Sequence, residues 1–214
     1  MKTDAADITI ILDRTGSMEP IRDDTIGGFN RFVEDQKKVP GVCALTLAQF
    51  DSQDPYEVVH RGRAIAEIPA LTRDTYVPRG ATPLLDAIGR GINDTGKRLA
   101  DLAESDRPGK VIFVIITDGM ENASKEFKKA TIKEMVERQR TAYKWEFVFL
   151  GANMDAIAEG GQMGFAAQAA MNIAPDAAGI KAAYHSTSRV TAAYRSGQAE
   201  NMSWSTEDRD KHKR

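Results

Sequence analysis

Residues 8–17 read Ile-Thr-Ile-Ile-Leu-Asp-Arg-Thr-Gly-Ser. The first five are an apolar run rich in β-branched side chains, which has strand character. It passes directly into Asp13, Thr15 and Ser17, three hard oxygen groups at two-residue spacing. A strand that ends this way outlines a loop for a hard divalent cation, which takes oxygen ligands. Two more oxygen groups occupy comparable places: Thr82 in the stretch Arg79-Gly-Ala-Thr-Pro-Leu84, and Asp118 in Ile115-Ile-Thr-Asp-Gly119.

Working outward, apolar runs at Ile8 to Leu12, Val42 to Phe50, Val111 to Ile116 and Phe147 to Leu150 predict strands buried on both faces and paired mostly in parallel. Helical periodicity lies between them: Ile26, Phe29 and Val33 after Pro20; Leu85, Ile88, Ile92 and Leu99 after Pro83; Ile132, Met135 and Val136 after Ser124, a plausible N-cap. The segment Tyr56 to Ile68 lacks a helical period and follows the turn-rich Asp51–Pro55, so it predicts a strand antiparallel to its predecessor. A small-residue strand from Ala167 to Ile173 and an alanine-rich helix from about Pro175 to Tyr194 complete the pattern. The expected fold is α/β, doubly wound and Rossmann-like: a mostly parallel central sheet with one antiparallel edge strand and helices on both faces. One domain over residues 1–194 and a polar, flexible tail over 195–214 is the economical division of the 214 residues.

Composition narrows the function classes. Twenty-nine basic residues against 31 acidic ones leave a formal charge of −2, which implies no general attraction to nucleic acid or to an anionic membrane. No stretch approaches the eighteen or so apolar residues of a membrane span, and the N-terminus is acidic where a secretory signal is apolar. The single cysteine, Cys43, sits in an apolar run and reads as a core residue of a protein from a reducing compartment. These observations together predict a cytoplasmic location. His60, His185 and His212 lie far apart and show no ligand spacing. Trp145 reads as core, whereas Trp204 in the polar tail reads as a short peptide contact.

In an open parallel sheet the ligand crevice lies at the carboxyl ends of the strands, which is where Asp13 and Asp118 fall. Small oxygen ligands from three segments suit magnesium, or manganese or calcium, better than zinc, which prefers nitrogen and sulfur. Two carboxylates and three neutral hydroxyls leave a divalent ion under-satisfied, so an acidic group from elsewhere fits a vacant position. The pattern resembles the von Willebrand factor A domain and its metal-ion-dependent adhesion site, over residues 5 to 194. The family motif is Asp-x-Ser-x-Ser with a distant threonine and a distant aspartate. Asp13 and Ser17 match its ends, Thr15 stands at the usual middle serine, Thr82 matches the loop threonine, and Asp118 the second aspartate. Threonine at position 15 keeps the hydroxyl and adds a methyl that stiffens χ1.

The resemblance implies a module that binds a partner protein through a metal completed by the partner's own Asp or Glu, and the near-neutral composition argues against nucleic acid or membrane as its target. Leu12-Asp-Arg-Thr-Gly-Ser-Met18 and Tyr76-Val-Pro-Arg-Gly-Ala-Thr-Pro-Leu84 resemble intracellular bacterial and phage-type members, which work beside ATPases or stress-response complexes. Arg14, Glu19, Arg79, Glu121 and Asn122 adjoin the ligand segments and read either as a partner-binding rim or as a solvated one. Each ligand also has a structural alternative. Asp13 can form an Asx-turn with Ser17 capping the next helix, Thr82 can cap a helix with Pro83 at its first position, and Asp118-Gly119 can be a plain turn. Asp-x-Ser/Thr-x-Ser alone arises by chance on the order of once in ten chains of this length, so the weight rests on the three segments together. A magnesium-dependent hydrolase or phosphoryl-transfer enzyme is the rival; it needs a base or nucleophile beside the metal, and no histidine or lysine lies in these segments.

Overall fold

The computed structural model describes residues 1–205, 208 and 209. Strands β1 (Lys2–Asp13), β2 (Val42–Phe50), β3 (Glu57–Ala64), β4 (Pro108–Thr117), β5 (Glu146–Ala152) and β6 (Ala170–Ile173) form one sheet in the order β3-β2-β1-β4-β5-β6. All neighbours are parallel except β2 and β3. Helices α1 (Arg22–Lys37), α2 (Leu84–Ala100), α3 (Lys129–Tyr143), α4 (Ala156–Gln162) and α5 (Ala177–Arg195) supply the crossovers and the last layer.

The period of two in the strands explains why the sheet is covered on both sides. Ile8, Ile10 and Leu12 of β1, with Ile112, Val114 and Ile116 of β4, face the cluster that holds Phe29, Phe32 and Tyr184 of α1 and α5. Ile11, Phe113 and Ile115 face the opposite cluster, with Ile88 and Ile92 of α2 and Val136 of α3. Gly91 lets α2 lie close to the sheet, since a Cβ there would come within 2.8 Å of Ile11 Cδ1. β1 runs farther toward its N-terminus than its apolar core predicts because Asp7, buried in the second layer, is paired: both Arg98 terminal nitrogens donate to its carboxylate at 2.7 Å.

The chain leaves β1 toward β2 on one side and returns from β3 through α2 to β4 on the other. The switch in winding direction therefore falls between the carboxyl ends of β1 and β4, the place where open α/β sheets form their ligand crevice.

Three expectations need correction. Ser124 does not cap α3, whose N-cap is Lys128; its hydroxyl donates to Glu121 Oε2 instead. The strand expected from Ala167 is β6 alone, Ala170–Ile173, after one 3-10 turn. The flexible tail expected from Arg195 does not hold up to Trp204. Arg195 closes α5 and donates to the backbone and side-chain oxygens of Gln36 at 2.7 and 3.0 Å. Met202 and Trp204 are buried in the α1–α5 layer, so Trp204 is a core residue and not a peptide contact. Asp208 pairs with Arg189 of α5, and residues 206, 207 and 210–214, His212 among them, lie outside the described residues. Trp145 and Cys43 are buried as expected, and burial pushes the Cys43 thiol up to about 11. Among the described residues no helix is long and apolar enough to cross a membrane.

Candidate metal centre

Asp13 is the last residue of β1, and its backbone lies beside the end of β4, where Leu12 pairs with Ile116. Its carboxylate is fully buried: Oδ1 accepts the Thr15 N–H at 2.7 Å and Oδ2 the Thr117 hydroxyl at 2.6 Å. The Asx-turn expected as the structural alternative therefore exists, and it presents Thr15 and Ser17 to the crevice rather than competing with them. The turn continues into one 3-10 segment, Gly16–Ile21, without side-chain capping by Ser17. Instead the Ser17 hydroxyl donates to Asp118 Oδ1 at 2.6 Å and lies 3.1 Å from the Thr15 hydroxyl. One hydrogen-bonded row thus joins the end of β1 to the segment after β4.

Thr82 arrives from the loop before α2. The N-cap position belongs to Pro83 and no side chain caps the helix, so the capping role open to Thr82 is not the one it plays. Its backbone is pinned to Asn122: the Thr82 N–H donates to Asn122 Oδ1 at 2.8 Å, and the Asn122 N–H to Thr82 O at 3.1 Å. A Cβ on Gly119 would sit 3.3 Å from Thr82 Oγ1 and 3.6 Å from Ser17 Oγ, so both hydroxyls border the same point. The structure brings all five expected ligands, Asp13, Thr15, Ser17, Thr82 and Asp118, to the winding switch. Four are buried and Ser17 is exposed, which gives the cluster one opening.

The expected rim divides. Glu19 remains exposed and Asn122 holds the Thr82 loop from the surface. Arg79 is half-exposed, with Nε donating to Asp51 Oδ2 at 3.0 Å. Arg14 and Glu121 are corrections. Arg14 is buried, donating from Nε to Asp51 Oδ2 at 2.7 Å and from a terminal nitrogen to Gln49 Oε1 at 3.1 Å. Glu121 spends its carboxylate on the N–H groups of Leu85, Ala123 and Ser124. Asp51 and Thr117 were missed by sequence reasoning. The only signal for Thr117 was its place just before Asp118, and Asp51 read as part of a turn.

The electrostatics of the cluster are one-sided. Among the described residues no arginine or lysine pairs with Asp13 or Asp118, because Arg14, the basic side chain next in sequence, is turned to Asp51. Burial pushes Asp13 up from 3.8 to about 7, against the pull of Thr117 and Thr15, and raises Asp118 as well; each is helped down by its hydroxyl donor, and Asp118 adds to the rise at Asp13. Two buried, unneutralised carboxylates beside three hydroxyls form a donor set that fits a hard divalent cation. No group of three or more His, Cys, Asp or Glu side chains is arranged to hold a metal among the described residues, so a softer nitrogen–sulfur site is not present there.

A pH dependence follows. The folded chain keeps a proton on Asp13 that the unfolded chain releases near pH 3.8, so ionisation of Asp13 weakens the metal-free fold as pH rises from about 4 through about 7. A cation has to displace that proton below pH 7. The magnesium-induced rise in Tm is therefore expected to be full at about pH 8 and largely gone by about pH 5.5, in thermal unfolding with and without magnesium. A rise of equal size at both values would contradict the role of Asp13.

This architecture is the von Willebrand factor A fold. The protein is similar to the von Willebrand factor type A structure from Catenulispora acidiphila, with 13% identity, TM-score 0.57 and coverage of 92% of this chain and 44% of that one. It is also similar to proximal thread matrix protein 1 from the mussel byssus, with 12% identity, TM-score 0.64 and coverage of 89% and 47%. A form of that mussel protein with a zinc-occupied metal-ion-dependent adhesion site matches at 15% identity and TM-score 0.61, covering 87% and 46%. The chain spans less than half the length of each. At these identities the likeness establishes the fold alone. No family model matches the sequence, and no curated protein matches it.

Proposed function

We propose that this domain is a metal-dependent protein-binding module. Asp13, Thr15, Ser17, Thr82 and Asp118 hold a divalent cation, magnesium or else manganese or calcium, and an Asp or Glu of a partner protein completes its coordination. The observation that carries this reading is the pair of buried carboxylates at the winding switch, Asp13 held by the Thr15 N–H and the Thr117 hydroxyl and Asp118 by the Ser17 hydroxyl, with no basic partner among the described residues. The cation, when bound, supplies the positive charge that these carboxylates lack and an open position for an incoming anion. The zinc-occupied adhesion site of the mussel protein supports the same use of this fold. The partner belongs, on this reading, to an ATPase or stress-response complex of the cytoplasm, the setting of the intracellular proteins whose motifs this sequence resembles.

Binding is favoured over turnover because Asp13, the group whose affinity for protons suits a general base, is fully buried with both oxygens already hydrogen-bonded. A metal-assisted hydrolase or phosphoryl-transfer enzyme would need another base at the opening.

The test is retention of partner protein on immobilised domain with magnesium and again with chelator, alongside the Thr82→Ala variant. Thr82 caps no helix, so its loss leaves the fold intact. Retention is expected in magnesium only, and to fall at least about tenfold in the variant, the loss of one charge-assisted contact. Retention indifferent to both chelator and variant would sink the reading.

A further inference from the structure

We propose that the groove between α2 and α3, at the pole opposite the metal centre, is a second binding site that takes an acidic segment of a partner protein carrying one apolar anchor side chain. The two poles are well separated. Pro108 and Val111, which line the groove, belong to the start of β4, whereas Thr117 and Asp118 mark its other end; nine steps of strand span roughly 30 Å.

The groove encloses about 400 Å³. Its apolar floor is made by Leu99, Val111 and Trp145, each buried but reaching this surface. The opening above the indole exists because position 96 in α2 carries no side chain: a Cβ on Gly96 would find nothing nearer than Trp145 Cη2, at 4.0 Å. Glycine in the middle of a helix weakens it by roughly 1 kcal/mol relative to alanine, so this gap has a standing cost, and among the described residues no close packing contact requires it. Tyr143, 57% exposed, flanks the same opening.

Charge selects the occupant. Lys97, Arg107 and Arg138 line the groove and none of its lining residues is acidic, although acidic residues outnumber basic ones in the whole chain. Arg107 is committed to the end of α2, donating to Leu102 O and Ala100 O. Lys97 and Arg138 form no ion pair among the described residues, whereas Arg73, Arg90 and Lys129 elsewhere on the surface do. Two free cations on the rim of an apolar slot match a segment that places carboxylates on either side of a leucine or phenylalanine.

The experiment uses the full chain and fluorescence anisotropy of a short labelled peptide that alternates glutamate with leucine, a lysine–leucine counterpart, and an oligouridine RNA. The glutamate peptide is expected to bind, with affinity that falls as salt is raised. Binding should weaken at least about tenfold in Lys97→Glu/Arg138→Glu, and also in Gly96→Leu, which fills the slot without touching a charge. Gly96→Leu is expected to melt no lower than the parent, because leucine favours the helix and meets open space, so its loss of binding cannot be ascribed to unfolding. The magnesium-induced Tm rise should be the same in both variants. Absence of peptide binding, equal binding of the lysine peptide, tighter binding of the RNA, or unchanged affinity in either variant would overturn the proposal.

Discussion

Asp13→Asn is expected to abolish the magnesium-induced rise in Tm while leaving the metal-free protein at least as stable as the parent at about pH 8. Both halves come from the same burial. The displacement of Asp13 from 3.8 to about 7 corresponds to roughly 4 kcal/mol of unfavourable ionisation at 1.36 kcal/mol per unit. Asparagine keeps the size of the side chain and an oxygen for the Thr15 N–H or the Thr117 hydroxyl, yet carries no charge to be buried. The metal-free fold is relieved of that cost. A cation at a hundredfold excess over its Kd contributes about 2.7 kcal/mol to a site that exists only in the folded chain, or roughly 5–10 °C in a domain of this size. Without the Asp13 charge this increment should vanish. Calorimetry of parent and variant, each with magnesium and with chelator, measures both effects, and an Asp13→Asn protein that still gains several degrees from magnesium would remove Asp13 from the site.

Arg98→Met should produce the largest loss of stability by a single substitution at a polar position. Asp7 is 2% exposed in the layer between β1 and α2, and its two oxygens accept from the two Arg98 terminal nitrogens at 2.7 Å. Methionine fills much of the space but leaves the carboxylate buried with no counter-charge. Breaking a buried pair in this way costs about 3–5 kcal/mol, equivalent to a Tm lower by roughly 10 °C. Replacing both partners, Asp7→Leu with Arg98→Met, should recover most of the loss, since two apolar side chains in that layer leave nothing unpaired. A drop in the single variant that the double variant fails to recover would mean that Arg98 acts by packing its stem and not by neutralising Asp7.

What the sequence disclosed follows from what repeats along it. β1, β4 and β5 were legible because continuous apolar runs admit few alternatives in a chain of this length, and β3 because a turn-rich segment too short for a crossover forces an antiparallel partner. α4 was not legible: it is seven residues long and contains two adjacent glycines. The packed end of the chain was misread because Met202 and Trp204 are the only large apolar residues after position 195, and two such residues have no period. Their burial depends on a surface made elsewhere, with the Met202 N–H donating to Glu146 Oε2 and the Trp204 N–H to Gln168 O.

The candidate site was legible for a different reason. Four of its five ligands, Asp13, Thr15, Ser17 and Asp118, stand at or just past strand ends, which the apolar runs before them fix, while Thr82 comes from the loop before α2. The direction of the neighbouring side chains was not so fixed. Arg14 turns inward because Asp51, 37 positions later, is buried and needs a donor; Glu121 turns inward because the loop before α3 has N–H groups to satisfy. Neither demand is visible in the five-residue motif. The same inward turn of Arg14 leaves Asp13 and Asp118 without a basic partner among the described residues.

The most direct test is a crystal of the full chain grown with manganese and measured for anomalous scattering. A single strong peak bounded by Ser17 Oγ, Thr82 Oγ1 and the carboxylates of Asp13 and Asp118, absent from crystals of Asp13→Asn, is the predicted result. Saturating manganese that leaves this point empty, or that collects elsewhere on the molecule, would contradict the account.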